Sequence, residues 1–366
     1  MPPCSPPLGR MADRATPPER RGRAVRVWSA IGALAGAFGS VVGGLLVDAS
    51  WRWVFLVNLP VGVAAMAGAV RWVPDSRDET AGRTPDVFGA VNLAVAIGAV
   101  ALGLVKGPDW GGRATGITAA FVCAVLAGVV FTVRTWRHPS PVVEPALVRP
   151  RIFVWANVTT LLFSVAFGAA VLSMIMWSQD VWHYSALRTG LCVVPGPLLL
   201  PVLAAVGQRV AHRVPAALVA GAGCVVFGAG TVVIVLSLGT EPNYATELLP
   251  GWLITGAGVG LALPAILSAS TSDLPPGRTA TGSAVVTMSR QIGTVLGVSV
   301  LVAVLGTPVG ADQALTGFTH VRWVIAGVTV LAALTAAGMT VRTTPAAWIP
   351  PSPGTERIGE PTSPAA

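Results

Sequence analysis

The sequence predicts an all-α, polytopic membrane protein with about ten transmembrane helices, and two observations carry this prediction. First, 53% of the 366 residues are hydrophobic and only 11% are charged, whereas soluble domains carry about 25% charged residues. Second, the apolar residues occur in runs of about 20, the length of helix that crosses the hydrocarbon core of a bilayer. This composition excludes a soluble enzyme, a disordered protein and a secreted scaffold held together by disulfides.

Ten apolar segments are candidate spans. Each is too long and too continuously apolar for a strand of an outer-membrane barrel. The bilayer core also offers no hydrogen-bond partner to an open backbone, so each segment is predicted to be a helix. The segments are 28–47, 53–72, 87–106, 117–136, 154–176, 189–207, 215–238, 250–271, 283–305 and 323–341.

The distribution of basic residues predicts the orientation of these spans. With the N-terminus placed in the cytoplasm, 18 arginines fall in cytoplasmic segments and five basic residues, Arg322 among them, fall in outer segments. Arg290 is left within the ninth span. Because cytoplasmic loops are enriched in lysine and arginine, this distribution predicts that both termini of a multi-pass cell-membrane protein lie in the cytoplasm.

The first span has one face made of small residues. Gly36, Gly39, Ser40, Gly43 and Gly44 recur at steps of three and four residues, and such positions share one side of a helix. A face without bulky side chains lets two membrane helices approach closely. The spacing alone is equally compatible with ordinary tight packing that has no role in transport.

Residues 39–44 resemble the antiporter motif G-x-x-x-G-P-x-x-G-G of the major facilitator superfamily, although Ala35 stands in place of its first glycine and Ser40 in place of its proline. Residues 50–62 are very similar to the entry of the sixth helix in the 14-spanner drug:proton antiporters. Two further segments resemble the same family, 179–195 and 289–293. The resemblance extends from about Pro17 to Arg342.

The resemblance implies a domain organisation in which the first span is the family's fifth helix and helices one to four are absent. A partial N-terminal bundle of two helices would then precede two linker helices and a complete C-terminal bundle. The predicted parts are a Pro/Arg-rich cytoplasmic head (1–26), the partial bundle (27–72), the linker helices (73–136), a cytoplasmic loop (137–153), a six-helix bundle (154–342) and a disordered tail (343–366).

Ionisable groups at membrane depth are candidates for function, because burying a charge in the bilayer is costly. None of the acidic residues is predicted at mid-membrane; Asp48 and Asp180 lie near the outer ends of the first and fifth spans. Arg290 lies about two turns inside the ninth span. Its side chain either reaches back to the interface or points inward to an anionic group or to helix ends.

The resemblance implies multidrug efflux, that is, secondary active export of hydrophobic or cationic compounds by alternating access, driven by the proton gradient. The candidate translocation path is Asn58, Asn157, Gln179, Asp180 and Arg290. A membrane asparagine also commonly forms a hydrogen bond that joins two helices. Asn58 with Pro60 is expected to kink the second span, and further prolines are expected to kink the sixth and eighth.

The expected partners are the lipid bilayer, protons and a small hydrophobic or cationic substrate, with no nucleic acid. No phosphate-binding loop and no metal-ligand spacing of cysteine or histidine is present in the sequence, so neither a cofactor nor a metal nor an enzymatic activity is predicted. Two alternatives to transport remain open. The chain is either a truncated, non-transporting remnant or a membrane subunit that depends on a partner chain for the missing helices.

Overall fold

The computed structural model describes residues 35–72 except 37, residues 86–107, residues 114–274 except 212, and residues 278–306 and 310–340. Every regular element in these segments is helical, so the predicted all-α fold class is confirmed. Nine helical segments of the described residues are long and apolar enough to cross a membrane, and two of them, Trp51–Trp72 and Ala186–Gly207, each join two consecutive helices. The predicted head, the start of the first span and the predicted tail lie outside the described residues.

Thirteen α-helices are described, and they follow the predicted spans closely except at the last one. The first is a shorter apolar helix. The helices are α1 (Phe38–Ala49), α2 (Trp51–Leu56), α3 (Asn58–Trp72), α4 (Val87–Lys106), α5 (Ala114–Arg137), α6 (Arg151–Met176), α7 (Ala186–Val193), α8 (Pro195–Ala211), α9 (Ala216–Ser237), α10 (Tyr244–Glu247), α11 (Leu249–Ser272), α12 (Thr279–Leu305) and α13 (Ala311–Ala337).

The second predicted span consists of two helices that meet at Val57, so the predicted irregularity near Asn58 and Pro60 is present. Proline has no backbone N–H to continue the hydrogen-bond ladder. The carbonyl that loses its partner in this way is that of Leu56, four residues before Pro60. At the same break, the side-chain amide of Asn58 donates to the carbonyl oxygen of Val54 at 2.9 Å. The side chain of Ser50 caps the start of α2 by accepting from the backbone nitrogen of Arg52 at 3.4 Å.

The helices α4 and α5, predicted to be the linker helices, pack against each other as a hairpin, and α4 also packs against α12. The carboxylate of Asp86 caps α4 by accepting from the backbone nitrogen of Gly89 at 2.8 Å. The same oxygen accepts from Arg134 of α5 at 2.7 Å, and the guanidinium lies over the ring of Phe88 at 4.9 Å. The hydrogen bond from Arg134 holds the pKa of the Asp86 carboxyl below its usual range. One buried acid therefore fixes both the start of α4 and its pairing with α5.

The helices from α6 to α13 pack on one another, and we call them the six-helix bundle after the six spans that they form. Within it, glycine contacts lie on two sides of α11. A Cβ on Gly258 would lie 2.5 Å from the backbone nitrogen of Phe227 in α9. A Cβ on Gly256 would lie 2.8 Å from the carbonyl oxygen of Gly196 in α8. The glycine-rich run 256–260 is therefore a helix-packing surface of the kind expected when small residues let membrane helices approach closely.

A neighbouring helix supplies the hydrogen bond that is missing at the break between α7 and α8. The carbonyl oxygen of Val193 would bond to the backbone nitrogen four residues on, but that residue is Pro197, which has no N–H. The indole nitrogen of Trp252 in α11 donates to this carbonyl at 2.9 Å. Broken helices are tolerated in a membrane when a neighbour satisfies the freed backbone group in this way.

The start of the last span is wrong in the sequence prediction. The helix begins at Ala311 and not near residue 323. Asp312, His320 and Arg322 lower the hydropathy of its first half, so a search for apolar residues finds only the second half. Arg322 therefore lies within a membrane helix, and its assignment to an outer loop is corrected.

Candidate translocation site

A backbone-to-backbone contact joins α1 of the N-terminal part to α7 of the six-helix bundle. A Cβ on Gly44 would lie 2.7 Å from both the carbonyl oxygen of Ala186 and the Cα of Leu187. From the other side, a Cβ on Gly190 would collide with the carbonyl oxygen of Ser40. We call Ser40, Gly44, Ala186 and Gly190 the glycine seam. Glycine is required at positions 44 and 190 because the two main chains leave no room for a side chain.

The antiporter-like motif is used only in part by this seam. Gly44 is buried and Ser40 half-buried, whereas Gly36 and Gly39 are exposed. No atom lies within 4 Å of a Cβ built on Gly36, Gly39 or Gly43. The spacing of the motif predicted a small face but did not predict which of its residues meet another helix.

Asn157 joins α6 to α12 through its side chain. Its amide nitrogen donates to the carbonyl oxygen of Phe153 at 2.8 Å, and its amide oxygen accepts from the hydroxyl of Ser289 at 2.9 Å. The two helices are close here, since a Cβ on Gly293 would lie 2.5 Å from the carbonyl oxygen of Leu161. Asn157 is thus a hydrogen-bonded contact between helices, one of the two roles expected for it.

Arg290 follows Ser289 and has an exposed side chain. No ion pair of Arg290 is found within the described ranges. A long side chain with a mobile charged head can reach the membrane interface from such a position. Of the candidate path residues, Asn157 and Arg290 therefore lie close in the fold.

The other three candidates lie apart from this pair. Gln179 and Asp180 are exposed within a π-helical turn, Trp177–Val181, that continues α6. Asn58 is exposed on α3, and none of the most apolar part of the span Trp51–Trp72 is buried within the chain. The structure does not bring these residues together with Asn157.

Arg322 was missed in the sequence analysis. Its side chain is 3% exposed, and its guanidinium lies 5.4 Å from the ring centre of Trp177 and 5.8 Å from that of Phe318. The sequence does contain a signal for this position. Gly310 caps the helix, and no proline lies between it and Arg322, so nothing ends the helix before the arginine reaches membrane depth.

Comparison with known proteins identifies the fold and family. The chain is 28% identical over 291 residues to the methylenomycin A resistance protein of Streptomyces coelicolor, covering 79% of this chain and 60% of that protein. It is 27% identical to the multidrug resistance protein Stp of Mycobacterium tuberculosis, covering 78% and 53% respectively. It is also 28% identical to the tetracenomycin C resistance and export protein of Streptomyces glaucescens, covering 80% and 54%. The chain thus spans about half to three-fifths of the length of these relatives.

The fold is also similar to a solved structure. The POT family transporter PepTSo superposes with a TM-score of 0.57 at 18% identity, over 91% of this chain and 74% of that one. At this identity the likeness concerns the fold alone. The model of the Major Facilitator Superfamily matches residues 2–298. This chain, a multi-pass membrane protein, therefore belongs to the Major Facilitator Superfamily of transporters.

Proposed function

We propose that the protein acts in proton-driven efflux of hydrophobic or cationic compounds by alternating access. It would lie in the cell membrane with both termini in the cytoplasm. Relatives named for antibiotic and multidrug resistance support the substrate class. The observation that carries the proposal is the glycine seam between the N-terminal part and the six-helix bundle, because no backbone hydrogen bond joins α1 to α7 among the described residues.

Alternating access requires two halves that touch on one side of the membrane and separate on the other. At the glycine seam the backbone atoms of each helix leave no room for a Cβ on the glycine of the other, with one glycine on each helix. Such contacts are individually weak, so separating the helices costs little. With the N-terminus inside, α1 runs outward, and Gly44 lies near its outer end. The seam would therefore close the outer side of the path.

The six-helix bundle would supply the polar part of the path at α6 and α12. Asn157 and Ser289 form a hydrogen-bonded pair there, and Arg290 lies one residue further along α12. Asp48 lies in the last turn of α1 and Asp180 in the π-helical turn that continues α6, and both are exposed. We assign the coupling proton to one of these helix-end carboxylates or to helices supplied from outside the described segments.

A second candidate function is that of a membrane subunit that needs further helices from a partner chain. The observation that favours it is the span Trp51–Trp72, of which none of the most apolar part is buried. Leu59 and Val61 on α3 are both more than 60% exposed. Two residues apart on a helix, their side chains point to nearly opposite sides, so lipid contact on one face does not account for both.

An efflux assay separates the two proposals. The chain is expressed alone in a cell deficient in export, its membrane insertion is confirmed, and a fluorescent cationic dye is followed with and without an uncoupler. We expect uncoupler-sensitive efflux that is lost in Gly44→Leu, where the seam cannot close. The matched variant Gly43→Leu should keep it, because no atom lies within 4 Å of a Cβ there.

The absence of efflux from well-inserted protein would contradict transport by this chain alone and would favour the subunit. Equal efflux from both glycine variants would contradict the role of the seam, even if the chain transports.

A further inference from the structure

Arg322 is a buried cation inside the six-helix bundle, at the junction of α6, α9, α11 and α13. It is 3% exposed, and its Nη1 atom has no hydrogen-bond partner. No ion pair of Arg322 is found among the described residues. Arg322 lines a small cavity together with Thr231 and Thr255. Thr231 lies six residues before the end of α9 and Thr255 six residues after the start of α11, each about 9 Å from that helix end. The charge is therefore held within the membrane.

Other donors around this arginine also lack partners. The hydroxyl of Ser173 and the indole nitrogen of Trp177 are both buried, and neither has a hydrogen-bond partner. Ser173 and Arg322 line one cavity of about 20 Å³. The hydroxyl of Thr255 already donates to the carbonyl oxygen of Trp252 at 2.8 Å. The hydroxyl of Ser173 and the Nη1 atom of Arg322 are therefore the donors left without a partner in this cavity.

An unpaired charge at this depth is unstable unless something compensates it. The rings of Trp177 and Phe318 contribute cation–π attraction, but they accept no conventional hydrogen bond from Nη1. A buried water would accept that hydrogen bond and leave the charge uncompensated. A monovalent anion would accept hydrogen bonds and compensate the charge together.

The size of the cavity restricts what can bind there. About 10–15 Å³ of this kind of space is needed for one water molecule, so a cavity of about 20 Å³ holds one small species. Organic carboxylates and phosphate esters are too large for it.

We propose that this cavity binds one small inorganic anion, chloride in the cell, between the guanidinium of Arg322 and the hydroxyl of Ser173. The bound anion links α13 to α6 and stabilises the six-helix bundle. This site is separate from the glycine seam and from Asn157, so the proposal does not depend on transport by the chain.

The test compares thermal unfolding of the purified full chain in sodium chloride and in sodium gluconate at equal ionic strength. Gluconate is too large for the cavity and serves as the matched salt. A ligand that binds only the folded state raises the melting temperature with its concentration, so chloride should raise it relative to gluconate. The shift should be absent in Arg322→Met and kept in Arg209→Met, which changes an exposed arginine of the same bundle.

Identical melting in the two salts would overturn the proposal, as would a chloride shift that persists in Arg322→Met. If Arg322→Met does not fold, Ser173→Ala provides the decision. Loss of one hydrogen bond to a charged ligand should raise the chloride concentration at half-effect roughly tenfold. An unchanged half-effect concentration in Ser173→Ala would contradict the assignment of this cavity.

Discussion

Replacement of Gly44 by alanine is the sharpest test of the packing between α1 and α7. The new Cβ would lie 2.7 Å from the carbonyl oxygen of Ala186 and from the Cα of Leu187, whereas ordinary contacts begin near 3.4 Å. Both neighbours are backbone atoms, so no side-chain rotation can relieve the clash. The two helices must therefore separate by about 0.7 Å, the difference between the two distances.

The energetic cost of this separation follows from the freedom of α1. Inserting a methyl group into a packed contact costs about 1–3 kcal/mol. Phe38 and Gly39 at the start of α1 are exposed, so this helix can move as a unit, and we expect about 1 kcal/mol, at the lower end of that range. The matched variant Gly43→Ala introduces no contact within 4 Å. Both changes gain about 1 kcal/mol of helix propensity, so the cost of the contact is the difference in stability between the two variants.

The distance between the two helices can be measured directly with spin labels. Leu45 and Arg188 are exposed on α1 and α7 and can carry the labels in a background without native cysteines. Gly44→Ala should lengthen or broaden the measured distance distribution, and Gly43→Ala should leave it unchanged. Adding Gly190→Ala to Gly44→Ala should cost less than the sum of the two single changes, because the helix separation that makes room for one alanine also makes room for the other. An unchanged distance in Gly44→Ala, or strict additivity, would refute the reasoning.

Two further predictions concern the helix ends. Trp252→Phe removes the donor to the Val193 carbonyl and should lower the free energy of unfolding by about 1–3 kcal/mol; thermal unfolding with no measurable loss would contradict it. The pKa of Asp86 is lowered by Arg134, so its stabilisation of the α4–α5 hairpin is complete above the unfolded value near 3.9 and is lost as the pH falls through the lowered pKa. Protection from hydrogen exchange in residues 86–107 and 114–137, relative to the intrinsic rate at each pH, should therefore fall below about pH 4. Asp86→Asn should abolish that dependence, and a fall that persists in the variant would assign it to another group.

The spans could be predicted from the sequence because hydrophobic length is a local property. A run of about 20 apolar residues has few alternatives to a membrane helix, and the helices from α3 to α12 fall close to the predicted segments. The break at Val57 was predictable for the same reason, since Pro60 acts on its own helix.

The last span shows where this local property fails. Arg322 is tolerated because α13 is covered by other helices, and its ring contacts come from Trp177 as well as from its own helix. A helix facing protein can carry charge that a helix facing lipid cannot. Hydropathy averaged along the sequence does not distinguish these two situations.

The candidate site was predictable only as a set of residue types. The small face of the first span was visible, but the contact of Gly44 with α7 depends on residues about 140 positions apart. Asn157 was singled out as a polar residue within a span, whereas its partner Ser289 was not. Such pairings are set by tertiary packing and have no local pattern.

The central claim, that the chain transports, is tested most directly in proteoliposomes that contain only the purified chain. A pH gradient is imposed, and movement of a fluorescent cationic dye across the bilayer is followed. We predict dye movement that depends on the gradient, stops when an ionophore collapses it, and is slowed in Gly44→Ala but not in Gly43→Ala. Dye movement equal to that of protein-free liposomes, with the protein correctly inserted and folded, would contradict the claim.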